Sequence, residues 1–438
     1  MQSDGDAAGS DAASRVDQAD SVPWARVTAC AGVYTAPTAL VVAPALADAR
    51  VLAATGWAPG ALTLASGLMF VASAPGAIVG SSAADRFGRR PVAFWTTLGC
   101  GICIAVGAAA PRQGALLYVA MRVIGGAVSG GTAPTAFSWA MELTPHKART
   151  RATTAMNVLW VLGPLLIAAW HVVTRRLSWR VEALGLAAFP LVAAAVARVS
   201  VPESPEFLAT RAAPPPQREP EVYGIVGHLD PDVAAADAVA PAEPLEAPRS
   251  RSPLARLWHE HRRPLVPLIL SWACVSASYY GLAYSAGALS KRVVLNFVLL
   301  NVADVPGYFA AGYLTKLGGT EPVMVLFSCL AGVSLVLVAL KAPAGVGIFG
   351  KFCTAGMFQQ IYAMTTERFP AEVRATAFGV CRVAAMLATF FAPPLARTAE
   401  SDAAAFLVFA LMAGVVAVCA LVLRPRRASS SPGGGGGY

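Results

Sequence analysis

Continuous apolar runs of about 20 residues, separated by short polar stretches, dominate this 438-residue chain. Twelve stand out, at 24–48, 59–82, 92–111, 115–140, 152–173, 179–200, 264–286, 291–313, 321–341, 344–366, 373–396 and 403–424. At about 1.5 Å per residue each forms a helix long enough to cross a hydrocarbon core of about 30 Å. A β-barrel would instead show segments of about 10 residues alternating in polarity. The runs are rich in Gly, Ala and Ser, which lets helices approach closely in lipid. The pattern therefore predicts an all-α polytopic membrane protein with two bundles of six helices.

Composition agrees. Only 13% of residues are charged and 56% are hydrophobic, against about 25% charged in soluble globular domains. A soluble enzyme, a disordered scaffold and a disulfide-stapled secreted domain are thereby excluded. The first 22 residues contain five Asp and lack the basic start and short apolar core of a cleaved signal. Residues 1–23 read as a disordered cytoplasmic N-terminus, and the first span acts as its own insertion signal. With that terminus inside, most of the 34 Lys and Arg fall in cytoplasmic segments. Both termini are then cytoplasmic. The net charge of +9 is a topology signal beside anionic lipid rather than a nucleic-acid surface. All eight Cys fall inside predicted spans, so no extracellular disulfide framework is expected. The Cys100-x-x-Cys103 pair lies in an apolar helix and reads as packing.

The two bundles, 24–200 and 264–424, are separated by residues 201–263. The Pro-, Ala- and acid-rich part at 212–250, with Pro214-Pro215-Pro216, reads as a disordered cytoplasmic linker. Pro253 to Arg263 reads as an interfacial helix leading into the seventh span. The Ser/Gly tail within 425–438 reads as flexible.

The halves repeat. Glu142-x-x-Pro145-x-x-x-Arg149 ends the fourth span and Glu367-x-x-Pro370-x-x-x-Arg374 ends the tenth. Repeated membrane halves point to a transporter with a central site enclosed by both. Gly80-Ser81-Ser82-Ala83-Ala84-Asp85-Arg86-Phe87-Gly88-Arg89-Arg90-Pro91 joins spans two and three. Gly88 supplies a permissive backbone for a tight turn. Carboxylates and guanidiniums on this rim are suited to latch the two halves in one state and release them in another.

GSSAADRFGRR resembles the loop signature of the major facilitator superfamily. Within it the chain is similar to the organic cation/anion transporter family of solute carriers. The carrying residues are Pro202-Glu203-Ser204-Pro205-Glu206-Phe207-Leu208, Tyr279-Tyr280-Gly281-Leu282, Leu295-Asn296-Phe297, Asp304-Val305-Pro306, Gly350-Lys351-Phe352, Thr366-Glu367-Arg368-Phe369-Pro370 with Arg374, Gly379-Val380-Cys381 and Ala392-Pro393. Two departures stand out. Only about ten residues, near 49–58, join the first two spans, where vertebrate members carry a large Cys-rich loop. The second-half counterpart of the gating loop, Gly312 to Gly319, has Thr315 where an acid is expected.

Intramembrane charges are costly, so each is a site hypothesis. Asp304 is the one acid the reading places deep in a span; Arg122, Lys351 and Arg382 are the bases. The resemblance implies a cavity-facing role for Asp304, with a buried ion pair as the bland alternative. It likewise implies substrate contact by Lys351, and a structural or proton-linked role for Arg122. Arg382 lies one helical turn before Met386, where the family tends to carry a charge; here the residue is neutral. Tyr279, Tyr280, Phe358 and Tyr362 match cavity-lining positions, and Trp160 is a weaker candidate. Such rings suit flat organic ions. The gating set is Gly80, Asp85, Arg86, Gly88, Arg89, Arg90, Glu142, Arg149, Glu367 and Arg374.

The five His show no metal-ligand spacing, and no catalytic triad or nucleotide loop appears, so neither an enzyme nor a cofactor or metal is expected. The expected function is alternating-access transport of a small organic ion, an anion or zwitterion in preference to a cation, on a substrate or proton gradient. A monomer in the bilayer is expected. A sugar or polyol porter and a non-transporting receptor on the same scaffold are the alternatives.

Overall fold

The computed structural model describes residues 22–212, 253–401 and 403–424. The expectations for 1–21, the interior of the linker and the C-terminal tail lie outside the described residues. Within them all regular structure is helical. We label the long helices α1 (Trp24–Thr55), α2 (Pro59–Phe87), α3 (Arg89–Ala108), α4 (Leu116–Glu142), α5 (Arg151–Val173), α6 (Trp179–Ser200), α7 (Leu254–Tyr284), α8 (Val293–Gly318), α9 (Thr320–Ala339), α10 (Ala344–Arg368), α11 (Thr376–Thr398) and α12 (Ala404–Leu423). Eleven of the twelve are long and apolar enough to cross a membrane. The exception is α10, whose 25 residues suffice in length but carry Lys351, Gln359 and Gln360. A span this polar needs neighbours to cover its polar face. Lys351 and Gln360 are indeed buried.

Helices α1–α6 pack on one another, as do α7–α12. The halves meet mainly where α2 faces α11 and where α5 faces α8. Close approach within the first half depends on glycine. A Cβ on Gly80 would collide with the Gly131 backbone, and one on Gly130 with that of Ser73. Gly80 is therefore a packing residue at the α2–α4 crossing rather than part of a loop.

Proline sets the breaks. α5 stops at Trp160 and resumes at Leu162; α8 stops at Val302 and resumes at Asp304; α11 stops at Thr389 and resumes at Ala392. Each stop lies four residues before a proline: Pro164, Pro306 and Pro393. A proline has no N–H for the carbonyl four residues back, and its ring clashes with it. α1 is broken likewise, into Trp24–Thr35, Thr38–Val41 and Pro44–Thr55. Discontinuous helices of this kind line transporter sites.

The connections are shorter than the sequence suggests. α1 continues to Thr55, so three residues, Gly56 to Ala58, reach α2, with Gly56 left-handed at φ 70°. Between α2 and α3 only Gly88 is non-helical, at φ 105°. Its counterpart between α8 and α9 is Gly319, at φ 83°. The expected helix before the seventh span is present: Pro253–Tyr284 is helical with a kink at His261, φ −122° and ψ 15°.

Candidate functional site

Between the halves lies a cleft lined from six helices: Pro37 and Val41 of α1, Met69, Phe70, Ser73 and Ala77 of α2, Ser129, Gly130 and Ala133 of α4, Trp160 of α5, Tyr280 of α7, and Arg382 and Met386 of α11. Four of the residues expected from sequence, Trp160, Tyr280, Arg382 and Met386, share this one wall system. Their convergence follows from the breaks, because Trp160 ends the first piece of α5, and Arg382 and Met386 lie just before the break in α11.

Arg382 is the charged residue of the cleft lining. Its Nη1 donates to the Tyr362 hydroxyl at 3.2 Å, and among the described residues it has no carboxylate partner. Behind it stands a wall of rings. Phe358 and Tyr362 are one helical turn apart with centroids separated by 5.8 Å. Tyr362 also meets Trp272 at 4.7 Å and Phe378 at 5.9 Å. On the facing side Phe70 and Tyr280 approach to 5.2 Å, and Tyr34 and Trp160 to 5.1 Å. Sequence reasoning missed Trp272, Phe378, Phe70 and Tyr34. Spans this rich in rings give no signal separating lining from packing.

Asp304 and Lys351 do not line this cleft. Both are fully buried inside the second half. Lys351 Nζ lies 3.5 Å from Asp304 Oδ1 and donates to the Tyr279 carbonyl at 3.2 Å. It also sits 2.9 Å from the centroid of the Tyr279 ring, a cation–π contact. The Tyr279 hydroxyl donates to Asp304 Oδ2 at 2.5 Å. Two opposite charges within a desolvated core are held together because separating them leaves an uncompensated charge. Of the two alternatives for Asp304 this is the buried ion pair, and Tyr279 belongs with it. A zwitterion bridging Asp304 and a base finds no support, since that carboxylate is buried away from the cleft lining, with one oxygen on Tyr279 and the other facing Lys351 without a hydrogen bond.

Arg122 is also engaged within its own half. It donates to the Leu40 carbonyl at 3.2 Å and the Tyr118 hydroxyl at 3.3 Å, and lies 3.7 Å from Asp48. Asp304 is therefore not the lone deep acid. Asp48, 8% exposed, and Glu182, 2% exposed, are buried too. Glu182 pairs with Arg50 and with His171 Nδ1, the latter at 2.6 Å. The surplus of buried bases expected from the sequence thus largely disappears. What is left over is Arg382.

At the Gly88 end, Arg89 Nε lies 3.1 and 3.0 Å from the two Glu142 oxygens, and Arg89 Nη2 lies 2.9 Å from Asp85. Glu203 Oε1 accepts from the backbone N–H groups of Arg89 at 2.9 Å and Arg90 at 3.1 Å. A carboxylate thus caps the start of α3, where orphan N–H groups and the helix dipole favour negative charge. Arg149 pairs with Glu206 at 2.6 Å. Arg90 donates to the Arg198 carbonyl, and Arg86 stacks on the exposed Phe87 ring. In the second half Thr320 donates to Glu367 at 2.9 and 2.7 Å, in the place that Arg89 takes beside Glu142. Thr315 donates to Gln360 at 3.1 Å. The side chain of Arg374 lies outside the described residues. These contacts all run within one half, so the expected latch between halves is not formed by them here. Glu203 was read only as part of a resemblance; its capping role was missed.

Six helices from the two halves thus surround this polar-spotted cleft. The family model "Major Facilitator Superfamily" matches residues 28–303, and the chain belongs to that superfamily. Among curated relatives, solute carrier family 22 member 6-B of Xenopus laevis is 24% identical over 74% of this chain and 60% of its own length. The putative niacin/nicotinamide transporter NiaP of Bacillus subtilis is 26% identical over 81% of this chain and 84% of its own. Human solute carrier family 22 member 16 is 26% identical over 70% and 55%. The chain thus spans about 60% of the length of the first of these carriers. In fold it is similar to the inward-open xylose transporter XylE from E. coli, with TM-score 0.67, 16% identity and coverage of 92% and 96%. The chain is a multi-pass membrane protein of this superfamily, similar to carriers of the solute carrier 22 and NiaP type.

Proposed function

We propose that the chain carries small organic anions bearing a flat ring, by alternating access and on a substrate or proton gradient. The observation that carries this reading is the Arg382 guanidinium in the cleft, without a carboxylate partner among the described residues. An uncompensated guanidinium in a low-dielectric interior costs several kcal/mol. A substrate carboxylate removes that cost by a bidentate pair, for which the planar fork of arginine is suited. Tyr362, Tyr280, Trp160 and Phe70 supply ring faces beside it. Because one chain supplies both walls, the monomer is sufficient. The bias of Lys and Arg puts the Gly88 end and both termini on the cytoplasmic side. The relatives named for niacin transport give a probe of the right chemistry.

The test is uptake into proteoliposomes of nicotinate and benzoate, beside their uncharged amides and xylose. Each acid and its amide share a ring and differ in charge. Saturable uptake of an acid, with its amide at least about tenfold poorer in kcat/KM, is expected, since one charge-assisted pair contributes about 1.4 kcal/mol or more. Preference for the amides, or for xylose, overturns the reading.

A further inference from the structure

Among the described residues, Asp85, Arg89, Glu142 and Arg149, expected to latch the two halves, pair within one half at the Gly88 end. Among the described residues, an ion pair that crosses between the halves lies at the opposite end, near Gly56. Asp48 of α1 is buried between two arginines. Its Oδ1 lies 3.7 Å from Arg122 of its own half, and its Oδ2 lies 3.7 Å from Arg397 of α11, in the other half. Arg397 also donates to the Pro59 carbonyl at the start of α2, at 3.0 Å. Nearby, the Tyr284 hydroxyl of α7 donates to the Val41 carbonyl of α1, again across the halves.

The two arginines differ in what holds them. Arg122 is fixed to its own half by the Leu40 carbonyl and the Tyr118 hydroxyl, and is 6% exposed. The Arg397 side chain is one-third exposed, and its contacts with Asp48 and the Pro59 carbonyl both reach into the opposite half. At 3.7 Å both Asp48 contacts are ion pairs without a hydrogen bond. Asp48 Oδ1 and Arg122 Nε are buried with no hydrogen-bond partner.

We propose that Asp48 and Arg397 form the lock that closes the Gly56 end of the carrier, and that Arg122 is the standing counter-ion that lets the lock open. Parting the halves at this end takes Arg397 away with α11 and exposes it to water, where a guanidinium is well solvated. Asp48 stays behind, still compensated by Arg122. Without Arg122 the same motion would strand a buried carboxylate, at several kcal/mol. The pair is thus loose enough to break in each cycle, and its breaking leaves no naked buried charge. This inference rests on the alternating-access reading.

The experiment measures closure without substrate. Val41 lines the cleft and accepts from Tyr284 through its carbonyl, which Val41→Cys retains. Alkylation of Val41→Cys by a membrane-impermeant maleimide is followed peptide by peptide by mass spectrometry in proteoliposomes. This separates it from the native cysteines. Adding Arg397→Gln is expected to raise the rate at least threefold, and Arg397→Lys to raise it less. Asp48→Asn should raise it similarly, and Asp48→Asn with Arg397→Gln no further than either alone. An unchanged rate in Arg397→Gln overturns the lock, even if Asp48→Asn fails to fold with Arg122 left unpaired. Additive effects in the double variant also overturn it. A rate that rises as expected, in protein that takes up none of the acids, amides or xylose, upholds the lock and sinks the anion-carrier reading instead.

Discussion

The two halves of the molecule use charge differently. In the first half, charge holds helices to one another. Arg89 joins Asp85 and Glu142, Glu203 caps α3, and Arg50 and His171 share Glu182. In the second half Thr320 takes the place of Arg89 on Glu367, and an ion pair, Arg368 with Glu321, joins α9 to α10 beside it. Its charges within the bundle are one closed, buried pair, Lys351 with Asp304, and one half-buried open group, Arg382. The difference teaches that a deep charge is not by itself a substrate contact. What matters is whether the protein already supplies its partner.

The sharpest way to break this comparison is to remove one member of the closed pair. Lys351→Met leaves Asp304 buried and unpaired, at a cost of about 3–5 kcal/mol. The expected outcome is loss of the monodisperse folded peak in detergent size-exclusion. Asp304→Asn together with Lys351→Met should restore most of it. Failure of the double variant to recover would show that the pair does more than satisfy itself. Next in size is Glu203→Gln, which weakens the charged cap on α3 by about 1–2 kcal/mol. A thermal unfolding midpoint several degrees below the parent in the same detergent is expected; an unchanged midpoint removes the cap from the account. The smallest effect belongs to the threonine at the second-half turn. Thr320→Val deletes the hydroxyl's bonds to Glu367 and should cost about 0.5–1.5 kcal/mol, less than Glu203→Gln. The reverse ranking would deny that the first half depends more on charge.

Much of the architecture was legible in the sequence. Apolar runs located the helices within a few residues, because a span must be apolar over its whole length. Gly88 was readable as a turn because few other residues tolerate its backbone angles. The one-turn spacing of Arg382 and Met386, and of Phe358 and Tyr362, placed each pair on one face. Other features were not legible for definite reasons. Asp48 sits where the first apolar run ends, so it read as a boundary, and continuation of the helix to Thr55 buries it. Glu182 lies inside the predicted sixth span, and nothing along the chain says that it meets Arg50 and His171. Nothing along the chain says that Lys351 reaches Asp304 on a different helix. That is a fact of packing between α8 and α10, and it moved both residues from the expected site into the core. The latch failed for the same reason, since spacing shows which charges share a rim but not which half they bind.

The central claim is that Arg382, the open charge of the second half, meets the substrate's carboxylate. The direct measurement is the ratio of kcat/KM for nicotinate over nicotinamide in proteoliposomes, for the parent, Arg382→Lys and Arg382→Gln, each with its folded yield. The account predicts a ratio of about ten or more in the parent. It predicts a smaller ratio in Arg382→Lys and a fall to about one in Arg382→Gln, by loss of nicotinate uptake and with folded yield unchanged. A ratio in Arg382→Gln equal to the parent's would contradict it.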